Sequence, residues 1–550
     1  MRLSLLIETR AIARRRLSGL SAIITLAAAI SAMLAIPMSD AWAIKPKPPQ
    51  VLLVGTYNGI PGEFSDIQSA VNAAHPGDWI LVGPGDYHER GDYTNAWSSE
   101  AGGGVYITTP GIHLRGMNRN TVVVDGTIPG APQCSSNPSD QDPGPNGIGR
   151  NGVLVWKASG VSVENLTSCN FLDGSGGGGN EIWWNGGDDS GVVGLGAYFG
   201  QYLSATTTYY QDDAPSGQYG IFVSNSSGPG LIIHTYASNM ADSSYYIGAC
   251  PNCNATLNDA HAENSALGYS GTNSGGHLTI TKSEFDNNKT GISTNSELGD
   301  SPSPQYGHCP AGQGGPNGNG LCTYFIGNYI HDNNNPNTPR TGSADLGPVG
   351  TGMVVAGGRF DSITRNRVEH NGSWGLLLVP FPDTGEVTEL NNCAGGVIPQ
   401  LTDPFPLNLL AQFGVTCFFD DFGNQVSRNS MRHNGFFGND TNGDLGDISG
   451  LNDPGNCWFK NTDPNGLTTS PANLQVTNGQ CGIPNQGASF LDPLTEQVIC
   501  ATGVFEPCSG LPGNPGYPQP TEVALIPLPK QKTMPNPCQS VPNNPWCPAR

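Results

Sequence analysis

Charge is what this 550-residue chain has least of. Only 13% of its residues are charged, with 24 Lys plus Arg against 45 Asp plus Glu, a formal net charge of −21. So few cations exclude a generic nucleic-acid-binding protein, which needs a basic footprint. No Lys or Arg occurs at all between Lys157 and Lys282. The shortage of Lys and Glu also argues against a helical protein, whose solvent faces normally carry them. After residue 43 no apolar run approaches the ~20 residues that span a bilayer. What is abundant is Gly (76) and Pro (45), beside 37% apolar residues that can build a large core. The expectation is a loop-rich, β-dominated, exported protein.

The N-terminus supplies an export signal. Arg2, Arg10 and Arg14-Arg15-Arg16 precede an uncharged stretch from Leu17 to Met38, and Ala41-Trp42-Ala43 is a small-x-small cleavage pattern. Residues 1–43 therefore read as a secretory signal peptide. An uncleaved anchor is the competing reading, and Pro37 with the Ala-x-Ala site favours cleavage and no lasting membrane span. The fourteen cysteines all follow this signal. In an oxidising compartment they read as loop staples, with nearest neighbours as the expected pairs: Cys250 with Cys253, Cys309 with Cys322, Cys393 with Cys417, Cys457 with Cys481, Cys500 with Cys508, Cys538 with Cys547. The expected location is extracellular, periplasmic or on the cell surface.

The mature chain opens with a short helix. Ser65-x-x-Gln68 has capping-box spacing, Ile67, Ala70, Val71 and Ala74 form one apolar stripe, and Pro76-Gly77 stops it. The apolar strand Trp79–Val82 follows. Further on the sequence repeats itself. An Asn-x-apolar-x-x-Asn pattern occurs at Asn328/Ile330/Asn333, Asn366/Val368/Asn371 and Asn429/Met431/Asn434, with looser copies at Asn165/Thr167/Asn170 and Ser283/Phe285/Asn288. Strand markers Ile221, Tyr246, Tyr269 and Ile292 recur at the period of a stacked β solenoid.

The stretch from Phe64 to Glu89, through Asp66-Ile67-Gln68, Pro76-Gly77-Asp78 and Gly83-Pro84-Gly85-Asp86, resembles the N-terminal cap and first rung of pectin-lyase-like right-handed parallel β-helix proteins. The Asn-x-x-Asn turns resemble that family's asparagine ladders. The resemblance covers roughly Val51 to Asn439. It implies an all-β, right-handed parallel β-helix with an N-terminal capping helix, and says little of chemistry, because the fold hosts lyases, hydrolases, esterases, epimerases and binding modules. The polygalacturonase-type Gly-His-Gly and Arg-Ile-Lys tripeptides are absent, as is the pectate-lyase Trp-Ile-Asp-His stretch. We expect the helix over 44–450 with insertions at 172–218 and 380–421, the latter with a short helix near 407–413. A Cys/Gly/Asn-rich extension over 451–508 and an extended Pro-rich tail over 509–550 should follow.

Because cations are scarce, their clustering is informative. Arg359, Arg365, Arg367, Arg428 and Arg432 lie within 74 residues. Aligning the last two repeats on Val368 and Met431 puts Arg365, Arg367 and Glu369 on the outer face of one rung, and Arg428, Ser430 and Arg432 on the next. Arg365 would then stack on Arg428, unfavourably unless an anion covers the pair. The preceding copy adds Tyr329 and His331, and His370 and His433 recur at equivalent turns. Together with the resemblance, this pattern suggests an acidic-polysaccharide groove in which Arg365 and Arg428 neutralise a sugar carboxylate. His370, His331 or Tyr329 would move protons, with Glu369 alongside. The plainer alternative is a solvated outer face in which Glu369 pairs with Arg432.

Three further features carry candidate groups. The aromatic run Trp183, Trp184, Tyr198, Phe199, Tyr202, Tyr209 and Tyr210 suits sugar stacking or a local core equally. The doublets Asp188-Asp189, Asp212-Asp213 and Asp420-Asp421 are candidate carboxylates. Asp440, Asn442, Asp444 and Asp447 offer oxygens at the alternating positions of a calcium loop, against a plain Asp/Asn turn. The expected protein is a secreted monomer that binds or modifies an acidic polysaccharide, as a lyase, hydrolase or epimerase, with Ca2+ the candidate ion. Its alternative is a non-catalytic glycan- or protein-binding scaffold.

Overall fold

Alternation of apolar and polar residues in short strands, each closed by a tight turn, leaves a strand one apolar face to bury, and successive strands bury it by stacking. A computed structural model of the chain describes residues 48–91, 101–188, 191–212, 214–296, 322–383, 417–419, 421–448, 455–484, 493–503, 508 and 516–549. The expected signal peptide, the helix near 407–413 and the cysteine pairs 309–322 and 393–417 reach outside these residues. The described chain from Pro49 onward is one compact unit.

It is a right-handed parallel β-helix. Each turn of the chain visits three strand stacks. Sheet 1 contains Trp79–Val82, Val161–Glu164, Leu278–Thr281, Thr323–Ile326, Ser362–Thr364, Gln425–Ser427 and Cys457–Phe459, among others. Sheet 2 contains Glu284–Asp286, Tyr329–His331, Arg367–Glu369 and Ser430–Arg432. Sheet 3 is an eleven-stranded parallel stack that ends on Thr469–Ser470. Ile80, Leu114, Val163, Ile232, Leu257, Ile280, Phe325, Ile363, Val426 and Trp458 form one fully buried inward column, and Phe285, Ile330, Val368 and Met431 belong to another.

From Asn165 onward a single left-handed residue, followed toward the C-terminal end by a row of asparagines, turns the chain from sheet 1 into sheet 2, and a second row of asparagines turns it from sheet 2 toward sheet 3. In one ladder Asn328 Nδ2 donates to Asn366 Oδ1 (3.1 Å), Asn366 to Asn429 (3.0 Å) and Asn429 to Asn461 (2.9 Å). Gln475 ends it by accepting from both nitrogens of Asn461. A second ladder runs through Asn288, Asn333, Asn371 and Asn434. The sequence pattern marked these turns correctly.

Several expectations need correction. The helix α1 (Ile67–Ala73) is capped by Asp66, one residue beyond Ser65, and the buried Glu89 carboxylate accepts from the amides of Ile67 and Gln68. Tyr245, not Tyr246, is the rung partner of Ile221 and Tyr269, because Tyr246 falls on the opposite, outward phase of the strand. Residues 172–218 are no insertion: Asn180–Asn185, Tyr198–Gln201 and Ser204–Thr206 pair with strands on both sides and complete a turn. Trp184 and Tyr198 fill the core there, where their register partners include Val155, Val223 and Val161, and the change from Val to an aromatic residue hid the strands. The solenoid also runs past residue 450, through Cys457–Phe459. Phe381–Asp383 and Cys417–Phe419 form an antiparallel pair at the base of the 380–421 segment.

Four expected disulfides are present, at 250–253, 457–481, 500–508 and 538–547, and Cys134–Cys169 is a fifth. They fit an extracellular, oxidising location. Among the described residues no helix is long and apolar enough to cross a membrane.

Candidate functional site

From Asn165 onward, the corner between sheets 1 and 2 holds one residue per turn at a left-handed φ between +51° and +70°. Toward the C-terminal end those residues are Lys282, Gly327, Arg365, Arg428 and Lys460. They follow Thr281, Ile326, Thr364, Ser427 and Phe459, which are register partners on successive strands. Neighbouring strands lie ~4.8 Å apart, so the five corners span about 19 Å. All five are exposed. Four cations thus line one edge of a strongly acidic protein. Arg365 and Arg428 are adjacent, as the repeat alignment expects, but they stand on the turn rather than on the strand face.

Beside this edge lies the outer face of sheet 2. Alternation points Ile330, Val368 and Met431 inward, so their neighbours face out in register: Tyr329 with Arg367 and Ser430, His331 with Glu369 and Arg432. Arg367 grips Glu369 in a bidentate pair (2.7 Å for both bonds) and lies over the Tyr329 ring at 4.5 Å. Glu369 therefore pairs within its own strand rather than with Arg432. The hydrogen bond from Arg367 holds the Glu369 carboxyl below its ordinary range. The Tyr329 phenol is raised by burial, although Arg367 opposes the shift, so it stays protonated at neutral pH. Tyr329 stacks on His331 at 3.8 Å between ring centres. Both His331 nitrogens are engaged, Nε2 with Glu284 (3.1 Å) and Nδ1 with Asp332 (2.8 Å). His370 and His433 meet edge to face at 5.3 Å at the far corner. The guanidinium groups of Arg365, Arg428 and Arg432 enter no ion pair among the described residues. An anionic ligand can therefore reach them without breaking an existing pair.

The strip continues on earlier rungs. His261 lies opposite Glu284, and Glu263 opposite Asp286. His261 Nε2 sits 2.7 Å from Asp286 Oδ1, and Tyr236 donates to Glu263 (2.6 Å). Burial alone would lower the His261 pKa, but Asp286, Glu263 and Glu284 together raise it. Sequence reading missed these acids, together with Lys282 and Lys460. The signal was present: every corner cation directly precedes the ladder position, which is Ser283, Asn366, Asn429 or Asn461.

The other sequence candidates are dispersed. The structure does not bring Asp440, Asn442, Asp444 and Asp447 together. Asp444 accepts from Asn434 and Thr468, Asp447 from Asn456 and Trp458, and Asn442 bonds Asn439 and Tyr517. Three other groups of Asp, Glu, His or Cys could hold a metal ion: Asp86/His88/Asp125, Asp125/Cys134/Cys169 and His261/Glu284/Asp286. Trp183 faces outward, stacked on Phe222 at 4.9 Å, whereas Trp184 and Tyr198 are core. Asp188 pairs with Lys157 and Asp421 accepts from Asn456, while Asp189, Asp213 and Asp420 lie outside the described residues.

No protein-family model matches this chain, and no curated protein matches it. Solved structures do. The A-module of a mannuronan C-5 epimerase from Azotobacter vinelandii is 12% identical, covering 72% of this chain and 91% of its own, with a TM-score of 0.40. A PL6-family polysaccharide lyase from Pseudopedobacter saltans is 12% identical over 87% of this chain and 98% of its own, at a TM-score of 0.35. A pectin methylesterase from Erwinia chrysanthemi is 15% identical over 52% and 79%, at 0.29. At these identities and scores the likenesses carry no argument about chemistry. The fold stands on the strand ladders.

Proposed function

We propose that this protein binds an extracellular acidic polysaccharide along the corner of Lys282, Arg365, Arg428 and Lys460, and modifies it at a uronate residue on the adjoining face of sheet 2. The observation that carries the reading is the row of exposed cations on successive rungs of a chain whose net charge is −21. Stacked like charges repel, and a polyanion lying along them relieves that repulsion.

The chemistry follows from the neighbours. Neutralising a uronate carboxylate makes its C5 proton removable. His370, half-exposed at the end of the face, would take that proton, and Tyr329, held protonated, would supply one. Return of a proton to the opposite side of C5 inverts the centre. Departure of the C4 oxygen, protonated as it leaves, cleaves the chain and leaves an unsaturated uronate. His331, tied at both nitrogens, acts behind Tyr329 as a positioning residue. Glu369 and Arg367 fix each other beside the ring.

The test uses the purified mature protein on acidic and neutral polysaccharides, following ultraviolet absorbance, reducing ends and uronate composition. Binding should be confined to acidic polymers and should weaken steeply with salt. Arg365→Gly with Arg428→Gly should lower affinity at least about tenfold, roughly 1.4 kcal/mol. His370→Ala should abolish turnover and leave binding intact. Binding without any product would favour the scaffold, and unchanged binding in the double Arg variant would remove the corner from consideration.

A further inference from the structure

We propose that His261, Glu284 and Asp286 bind a divalent transition-metal ion of the Zn2+ type, three to four rungs from the N-terminal cysteine clip at Cys134–Cys169. The inference is independent of the polysaccharide reading, because it requires only the metal.

The three side chains come from two adjacent parallel strands, Ala255–Glu263 and Glu284–Asp286, and project from one outer face. Their ligand atoms all lie within 4.8 Å of one another. A tetrahedral ion with bonds of about 2.1 Å needs its ligand atoms roughly 3.4 Å apart, so small side-chain rotations suffice. His261 Nε2 and Asp286 Oδ1, now 2.7 Å apart, would separate to admit the ion.

Each carboxylate is also held from outside. Asn287 Nδ2 bonds Asp286 Oδ2 at 2.6 Å, which leaves Oδ1 for the centre. His331 Nε2 bonds Glu284 Oε1 at 3.1 Å and is itself oriented by Asp332 through Nδ1. Such outer partners fix the direction of metal ligands and strengthen them. Glu263 and Asp332 add negative charge beside the three ligands. The His261 and Glu284 side chains are 34% and 46% exposed, so an ion can enter and keep water in its open positions. Three protein ligands with room for water is the arrangement of a reactive rather than a purely structural site.

Ligand type sets the metal. An imidazole beside two carboxylates favours Zn2+ over Ca2+ or Mg2+, which prefer all-oxygen shells. The other two groups are less suited. The Asp125 oxygens are spent on Thr127 and the Cys134 amide, and Cys134 and Cys169 are oxidised to a disulfide.

The experiment is calorimetric titration of the full mature chain, freed of metal by a chelator, with ZnCl2 and separately with CaCl2. A single Zn2+ equivalent should bind, and Ca2+ should not compete for it. Asp286→Asn and Glu284→Gln, which keep side-chain shape, should each weaken Zn2+ binding at least about tenfold with unchanged circular dichroism. Zn2+ should raise the melting temperature of the native chain and not that of Asp286→Asn. His75→Ala, an exposed histidine far from the site in sequence, should bind as the native chain does. Absence of Zn2+ binding, equal binding by Asp286→Asn, or displacement of Zn2+ by equimolar Ca2+ would each overturn the proposal.

Discussion

A non-glycine residue in the left-handed region costs roughly 1–2 kcal/mol, because its Cβ crowds the neighbouring carbonyl. At the sheet 1–sheet 2 corner the chain places Lys282, Arg365, Arg428 and Lys460 there, and only Gly327 in that row avoids the cost. The fold would accept glycine at each of these corners, since Gly327 already serves between Lys282 and Arg365. Charge, rather than backbone geometry, is then what distinguishes these positions. Arg365→Gly should therefore leave the melting temperature unchanged or raise it, by up to about 1 kcal/mol of stability after the added chain entropy of glycine is subtracted. Thermal denaturation of Arg365→Gly and Arg428→Gly checks this. Loss of several degrees in either would mean that the guanidinium groups hold the corner together. The same variants lose anion affinity, so stability and binding should move in opposite directions.

Within the turn ladders each asparagine both accepts from the amide of the preceding rung and donates to a carbonyl, which is why the type recurs. Asp361 breaks the rule. It stands in the row of Asn424 and Asn456, accepts from the Thr323 amide and is wholly buried. Burial pushes its carboxyl up to about 7, and likewise Glu89 to about 7 and Asp242 and Asp86 to about 6. Between the ordinary values near 4 and these raised ones, the folded state holds protons that the unfolded chain has released. Stability is therefore fully present near pH 4 and is lost as pH rises through 6 to 7. The lowered Glu369 works the other way, but its partner Arg367 is largely exposed to solvent and the pair contributes little. Melting should occur at higher temperature near pH 5 than at pH 8. Asp361→Asn should flatten that dependence and add about 1–3 kcal/mol at pH 8, through a neutral amide where a buried charge stood. A steeper loss at pH 8 in this variant would show that the charge is structurally required. The ladders were legible in the sequence because hydrogen bonding demands one residue type at a fixed spacing. The metal cluster was not, because His261, Glu284 and Asp286 meet only through strand register, which a looser repeat around Ser283 obscured. The fold could be read from spacing, whereas the site depends on which rungs become neighbours.

Over the whole molecule, the C-terminal region decides which faces stay open. Residues 516–549 contain no helix or strand, yet they are fastened along the solenoid. Asn337 and Asn264 hold the tail at Thr521 and Ala524, Asn239 at Ile526, Asn120 at Gln531, Asn165 at Thr533 and Met534, and Arg115 at Pro537 and Gln539. The clip Cys538–Cys547 then seats Trp546 against Leu53, Trp79, Leu81 and Met117, and the indole donates to the Ile60 carbonyl. Helix α2 (Pro493–Ala501), with Cys508 and Tyr517, covers Val354, Trp374, Leu377 and Val379 on the last rungs of sheet 3. Proline content signalled an extended tail but not where it lies, since its anchors are side chains hundreds of residues earlier. The cationic corner and the face carrying Tyr329, Arg367 and Arg432 remain exposed or half-exposed. Trp546→Ala should therefore unlatch the tail without opening the solenoid. A low-temperature melting step should separate from the main one, and limited proteolysis should cut between Tyr517 and Trp546 several-fold faster, as expected of a locally unfolding segment. Affinity for an acidic polysaccharide should survive that cut, because among the described residues no side-chain hydrogen bond or ion pair joins a corner cation to the tail. Loss of affinity together with the tail would instead make the strap part of the binding surface.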